Sequence, residues 1–249
     1  PFSSRRRHTR SCLKSRGLGD VYKRQALVEQ GARVLVAARS VEELQELEQT
    51  APEKIHAVPC DMKDHAAVAA LVDQAIERFG RLDIVVNNAG IAPAGFFLEQ
   101  SDQVWDDVMA VNVKAPAVLA RAAGRHMVAQ GSGKIINIAS TSGILGKAML
   151  VAYSSSKGAL LQFTKALAAE WAAKGVQVNA IAPGAFETDA QRVVLESPDI
   201  LKRRLGKIPA RRMGDTRELG PLVCYLSSPL SDFVSGSVFV IDGGESSKL

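Results

Sequence analysis

Short apolar runs alternate with longer amphipathic stretches from Ala32 onward. The runs Arg33–Ala37, Ile55–Val58, Leu82–Val86, Lys134–Ala139, Val176–Ile181 and Val238–Ile241 are rich in Val and Ile, as expected for strands buried on both faces of a parallel sheet. Between them, Val68, Leu71, Val72, Ala75, Ile76 and Phe79 recur at helical spacing and stop at Gly80, which predicts a helix over Ala66–Phe79. A second helix is predicted from Ser101, with Val104, Trp105, Val108 and Met109 on one face, and a third from about Val151 to Ala173. Right-handed crossovers between such units imply an α/β, Rossmann-like, doubly wound parallel sheet. From Ala185 to Gly214 the apolar period fades into mixed charge, the pattern of a lid over the carboxyl ends of the strands.

Composition narrows the class. A chain of 249 residues suits one large α/β domain, and it holds no apolar run long enough to span a bilayer, so no membrane role is expected. The net charge of +5 is unevenly placed: residues 1–25 hold eight of the 31 Lys and Arg but one of the 26 Asp and Glu, so the remaining 224 residues carry 23 against 25. A mildly acidic body argues against nucleic-acid binding, which would be confined to the basic arm. Cys12, Cys60 and Cys224 are odd in number and widely spaced, which fits a reducing cytoplasm better than a disulfide framework. His8, His56, His65 and His126 form no metal-ligand spacing, and no metal site is expected.

The candidate chemistry begins at Tyr153-Ser154-Ser155-Ser156-Lys157, which puts a phenol and an ammonium one helical turn apart. A free tyrosine titrates near ~10, and a nearby cation favours the phenolate, so Lys157 is expected to lower Tyr153 toward neutrality. Thirteen residues before Tyr153, the run Ile135-Ile136-Asn137-Ile138-Ala139 ends in Ser140, at the strand end where α/β sheets place ligand contacts. Two further apolar runs end in Asn87-Asn88-Ala89-Gly90 and in Ala182-Pro183-Gly184 followed by Thr188.

These four blocks, in this order and spacing, resemble the short-chain dehydrogenase/reductase family from about residue 26 to the C-terminus. The resemblance implies an oxidoreductase that moves a hydride between a nicotinamide cofactor and a small carbonyl or alcohol substrate, with Tyr153 as general acid or base. It further implies that Lys157 tunes Tyr153 and holds the nicotinamide ribose, that Ser140 donates to the substrate oxygen, and that Asn112 completes a proton relay through water. Asn88, Ala89 and Gly90 would line the adenosine side, Asp61 and Met62 would flank the adenine, and Pro183, Gly184 and Thr188 would hold the nicotinamide end. The residues also admit plainer readings: Asp61 suits a turn cap, and Asn112 suits a polar bend in a helix. The family's usual assembly implies a homotetramer or homodimer. Carbonyl reduction, 3-oxoacyl-carrier-protein reduction and sugar or polyol oxidation are all open as substrate classes.

Cofactor preference is read at the end of the second strand, where Ala38 fills the slot of an acid that would bind ribose hydroxyls and Arg39 follows, able to pair with a 2′-phosphate. NADP(H) is therefore expected over NAD(H). The family's first strand and its T-G-x-x-x-G-I-G loop have no counterpart: Ser3–Arg10 and Arg16–Gln25 stand there, and Gly17-Leu18-Gly19 mimics only the end of the motif, out of register. Because such glycines let the backbone approach a pyrophosphate at a helix N-terminus, the cofactor site is expected to be defective. Residues 1–25 look like foreign, adapter-like sequence replacing the true start, with residues 26–249 as the dehydrogenase domain. A non-catalytic Rossmann module is the alternative if that loop is truly lost.

Overall fold

A computed structural model describes residues 18–188 and 191–247, so most of the basic arm lies outside the described residues. Six strands, β1 (Val34–Ala38), β2 (Ile55–Pro59), β3 (Ile84–Asn87), β4 (Gly133–Ile138), β5 (Val176–Pro183) and β6 (Val238–Ile241), follow the expected runs within two residues. The helices are α1 (Leu18–Glu29), α2 (Val41–Thr50), α3 (His65–Phe79), α4 (Asp102–Met109), α5 (Ala115–Gln130), α6 (Ser142–Leu145), α7 (Val151–Trp171), α8 (Arg192–Leu195), α9 (Pro198–Lys207) and α10 (Gly220–Ser227). A π-helical turn, Ala110–Lys114, joins α4 to α5.

Local chemistry sets the helix ends. Asp64 caps α3 by accepting from the Ala66 and Ala67 N–H groups, which meets donors that have no partner within the helix. Gly80 closes the same helix at φ 81°, a left-handed conformation that a side chain disfavours.

All paired strands are parallel. The expected single sheet is in two pieces: β1 pairs with β2, and β3-β4-β5-β6 form a second sheet, with no described strand joining them. Helices α3 and α5 hold the pieces together. Val68 and Leu71 of α3 and Ala115 of α5 pack with Leu35, Ala37 and Val58 of the small sheet. One turn further along the same helices, Val72, Ala120, Ala123 and Met127 pack with Val85, Ile135, Val176 and Val178 of the large one.

The opposite face of the large sheet, through Ile136, Ile138 and Ile181, is covered by α10 with Leu27 of α1. Successive residues of β4 therefore serve opposite cores, which is why the strand reads as an unbroken apolar run. Full burial of each such Ile or Val contributes on the order of 1.5–3 kcal/mol. Helix α1 crosses the boundary expected at residue 25, and its Leu27 belongs to the core.

Candidate active site

Helix α7 turns Ala152, Ser156, Lys157, Leu160, Leu161, Thr164 and Ala168 toward the sheet. That face brings its first turn over the carboxyl end of β4, where Ser140 is buried. The Ser140 hydroxyl lies near enough to the Tyr153 phenol to favour its anion, and Ser140 Oγ accepts from the Ser142 N–H at 3.1 Å. Ser140 thus lies against the tyrosine, as the thirteen-residue offset implied.

Lys157 is almost fully buried, and a buried ammonium requires partners. Its Nζ donates to the Ile138 carbonyl at 2.7 Å and lies 5.7 Å from the centre of the Tyr153 ring. This corrects the electrostatic expectation. Burial pushes the Tyr153 phenol above its ordinary value, the nearby Ser140 hydroxyl pulls it only part of the way back, and Lys157 is directed at the strand-end carbonyl.

Asn112 sits in the π-helical turn with no exposed surface. Its Nδ2 donates to the Ile91 carbonyl and to Ser156 Oγ, both at 2.9 Å, and its Oδ1 accepts from the Ile91 N–H at 2.8 Å. The side chain therefore clamps the loop after β3 to α7. Pro116, four residues on, has no N–H to offer the Asn112 main-chain carbonyl in helical register. Widened π turns of this kind concentrate at functional sites.

Gly90 lies beside these groups: a Cβ added there would be 3.3 Å from Asn112 Oδ1 and 3.4 Å from Lys157 Nζ, so the backbone of this loop approaches both closely. Across the site, the Pro183 carbonyl accepts from the Thr141 N–H at 3.0 Å, and the Gly184 N–H donates to Ile241 at 2.8 Å. These contacts set the end of β5 beside the Ser140 loop.

The remaining expected residues lie further out. Arg39 is exposed at the end of β1. Asp61 Oδ1 accepts from the Lys63 N–H at 2.9 Å, as in the turn-cap reading, and Met62 packs with Cys60, Val68 and Leu71. Lys63 pairs with Asp107 of α4 at 3.1 Å and His65 donates to the Ala110 carbonyl at 3.2 Å, so this loop abuts the Asn112 turn. Asn88 is half-buried, Ala89 is exposed, and Thr188 is half-buried beyond β5.

Two features escaped the sequence reading. Ser156, inside the Tyr-Lys spacing, accepts from Asn112 and donates to the Tyr153 carbonyl at 2.7 Å. Below the site, Asn87 donates to Asn137 and Asn137 to Thr164, both at 2.8 Å, a buried polar ladder across β3, β4 and α7. The signal available was an amide placed inside each apolar run, since buried polar groups are nearly always paired. Among the described residues, no group of three or more His, Cys, Asp or Glu is placed to hold a metal ion, and no helix is long and apolar enough to cross a membrane.

The arrangement can pass a proton between Tyr153 and an oxygen held against Ser140, with a buried cation one helical turn away. The chain is similar to known proteins. Residues 14–246 match the family model described as Enoyl-(Acyl carrier protein) reductase. The chain is 42% identical over 186 residues to the 2-dehydro-3-deoxy-D-gluconate 5-dehydrogenase of Dickeya dadantii, covering 74% of this chain and 73% of that one. It is 38% identical over 222 residues to the galactitol 2-dehydrogenase (L-tagatose-forming) of Cereibacter sphaeroides, covering 88% and 87%. The crystal structure of a gluconate 5-dehydrogenase from Burkholderia cenocepacia, in complex with NADP and tartrate, superposes with a TM-score of 0.88 at 33% identity over 93% of this chain and 92% of that one. Family model, relatives and fold show that this chain belongs to the short-chain dehydrogenase/reductase family, the NAD(P)-dependent oxidoreductases that act on CH–OH groups.

Proposed function

We propose that this chain interconverts a secondary alcohol and a ketone on a sugar acid or polyol, using NADP(H). The observation that carries the reading is the convergence of Ser140, Tyr153, Lys157 and Asn112 beside Gly90. Substrate class follows the relatives, whose names specify gluconate derivatives and galactitol.

The site fits a nicotinamide ribose: Gly90 leaves the space a Cβ would fill, with Asn112 Oδ1 and Lys157 Nζ at its walls. A bound nicotinamide supplies or accepts the hydride. Tyr153 Oη gives its proton to the carbonyl oxygen in reduction and takes it back in oxidation. Ser140 Oγ, beside that phenol, orients the same oxygen. The buried Lys157 ammonium, held at the Ile138 carbonyl, donates toward the nicotinamide ribose, and the Asn112 main-chain carbonyl positions a water that resupplies the proton.

On the same reading, Arg39 meets the 2′-phosphate, Asp61 and Met62 flank the adenine, Asn88, Ala89 and Gly90 line the adenosine side, and Pro183, Gly184 and Thr188 hold the nicotinamide end. The neighbouring structures that contain NADP support this preference. On this reading residues 26–249 are the catalytic domain, with 185–214 as its lid. Exposed Phe96, Phe97 and Leu98 on one side, and Phe233 and Val240 near β6, support assembly as a homotetramer or homodimer. Cys60 and Cys224 are free, and burial raises both thiol pKa values, which suits a reducing cytoplasm.

Titration with NADPH and with NADH, followed by nicotinamide fluorescence, tests the cofactor reading. NADPH is expected to bind more tightly, and Arg39→Ala to erase the difference. Equal affinity of the wild type for the two would refute the preference.

A further inference from the structure

The two ends of the site stand on different pieces of the divided sheet. Ser140, Tyr153, Lys157 and Asn112 belong to the large sheet and the helices against it, whereas Arg39, Asp61 and Met62 follow the strands of the small one. No described strand joins the two. One short segment, residues 61–65, reaches from the end of β2 to the turn that carries Asn112.

That segment is fixed by its own hydrogen bonds. The Asp61 carbonyl accepts from the Asp64 N–H and Asp61 Oδ1 from the Lys63 N–H, both at 2.9 Å, and Asp64 caps α3. His65, the half-buried first residue of α3, follows directly. Its Nε2 lies 3.2 Å from the Ala110 carbonyl oxygen, and because a carbonyl only accepts, Nε2 carries the proton. Lys63 Nζ adds an ion pair to both carboxylate oxygens of Asp107 in α4, at 3.1 and 3.2 Å. Those side chains are 45% and 32% exposed, so water screens most of their attraction, and the histidine is the firmer link.

The carbonyl that His65 grips has a special place in the helix. In the π-helical turn, Ala110 accepts from the Ala115 N–H, one residue beyond α-helical register. A carbonyl oxygen has two lone pairs, and the histidine takes the second. A donor from outside the helix competes with the inner ladder for this oxygen, and so favours the widened turn over a regular α-helix. From the other end, Pro116 has no N–H to offer the Asn112 carbonyl. The widened turn is thus held on both sides of Asn112.

We propose that His65 is a positioning residue for the proton relay. By holding the Ala110 carbonyl it keeps the π turn in the register that presents the Asn112 main-chain carbonyl to the site, and it ties that turn to the adenine-side segment. This rests on the NADP(H) dehydrogenase reading above. His65 acts through Ala110 and Asn112.

The test compares the full chain with His65→Ala, which removes the donor, and with His65→Gln, whose amide N–H can reach the same carbonyl. Hydrogen exchange of the amides of residues 110–115 is read first, without cofactor. It is expected to quicken about tenfold in His65→Ala and to return toward the wild-type rate in His65→Gln. Oxidation of D-gluconate with NADP⁺ is read second. His65→Ala is expected to lower kcat about tenfold, with KM for gluconate within about twofold of the wild type. The solvent deuterium isotope effect on kcat should grow, because the proton step becomes limiting, and His65→Gln should recover most of the rate. Unchanged exchange in His65→Ala overturns the anchor, whatever the rates do. Faster exchange with kcat and the isotope effect unchanged overturns the positioning role and leaves the dehydrogenase reading standing. Absence of turnover by the wild type overturns the dehydrogenase reading, and the relay role with it.

Discussion

Asn112→Ala removes one buried side chain and three hydrogen bonds: from the Ile91 N–H at 2.8 Å, to the Ile91 carbonyl at 2.9 Å and to Ser156 Oγ at 2.9 Å. Each bond is worth about 1 kcal/mol net, and a donor or acceptor left buried without a partner costs more, so the loss is about 3 kcal/mol. In a domain of this size each kcal/mol moves the melting temperature by about 2–4 °C, which gives a fall of about 6–12 °C. The same change unties the loop ending at Gly90 from the helix bearing Lys157, so NADPH affinity should fall with it. Asn112→Asp keeps an acceptor for the Ile91 N–H but loses both donations, and it should also melt below the wild type. Melting followed by circular dichroism, with a parallel NADPH titration, reads both effects. An Asn112→Ala variant that melts within about 2 °C of the wild type and binds NADPH equally would refute the clamp.

Gly143→Ala places a methyl group 2.6 Å from the Lys157 carbonyl carbon and 2.7 Å from the Gly158 nitrogen, both backbone, so α7 must move. The expected cost is about 1–3 kcal/mol, together with weaker NADPH binding; an unchanged melt and affinity would count against this close packing. Asp215 and Glu218 are each held at a pKa of about 2, chiefly by hydrogen bonds from Arg217 and Arg212 respectively. Because the folded values lie below the unfolded ones, their stabilisation is present above about pH 4 and is lost as pH falls toward 2. Both are exposed, so the effect is small and screened by salt; the double variant Asp215→Asn, Glu218→Gln should show a shallower acid decline in unfolding midpoint, and an identical decline would refute the assignment. Burial raises the Tyr153 phenol, so carbonyl reduction should stay flat through neutral pH and fall only above about 10, while alcohol oxidation rises with pH. A break in the reductive pH–rate profile between about pH 6 and 8 would assign the proton to another group.

The strands were legible because burial on both faces leaves an unbroken apolar run: Val176–Ile181 was expected and Val176–Pro183 is found, and Lys134–Ala139 becomes Gly133–Ile138. Helix α3 was legible from its period and from Gly80. Helix α1 was not, since Gly19-Asp20-Val21-Tyr22-Lys23-Arg24-Gln25 carries no apolar period and the tertiary contact of Leu27 decides its place. Within 185–214, Pro198 at the start of α9 is a helix signal that the surrounding charge masked. The division of the sheet depends on long-range pairing, which local pattern does not encode.

At the site, spacing put Tyr153 and Lys157 one helical turn apart and Ser140 at a strand end, and the family resemblance joined the three. The direction of Lys157 toward Ile138, and the use of Ser156 by Asn112, depend on which buried groups lack partners, and only the packed structure shows that.

The most direct test of the account is the rate at which the chain, given NADP⁺ and D-gluconate, produces NADPH, compared between the wild type and Tyr153→Phe. Turnover by the wild type and a loss of at least about 10²-fold in the variant, with NADP⁺ still bound, is the expected result. Equal rates in the two proteins would show that Tyr153 does not carry the proton and would contradict the mechanism.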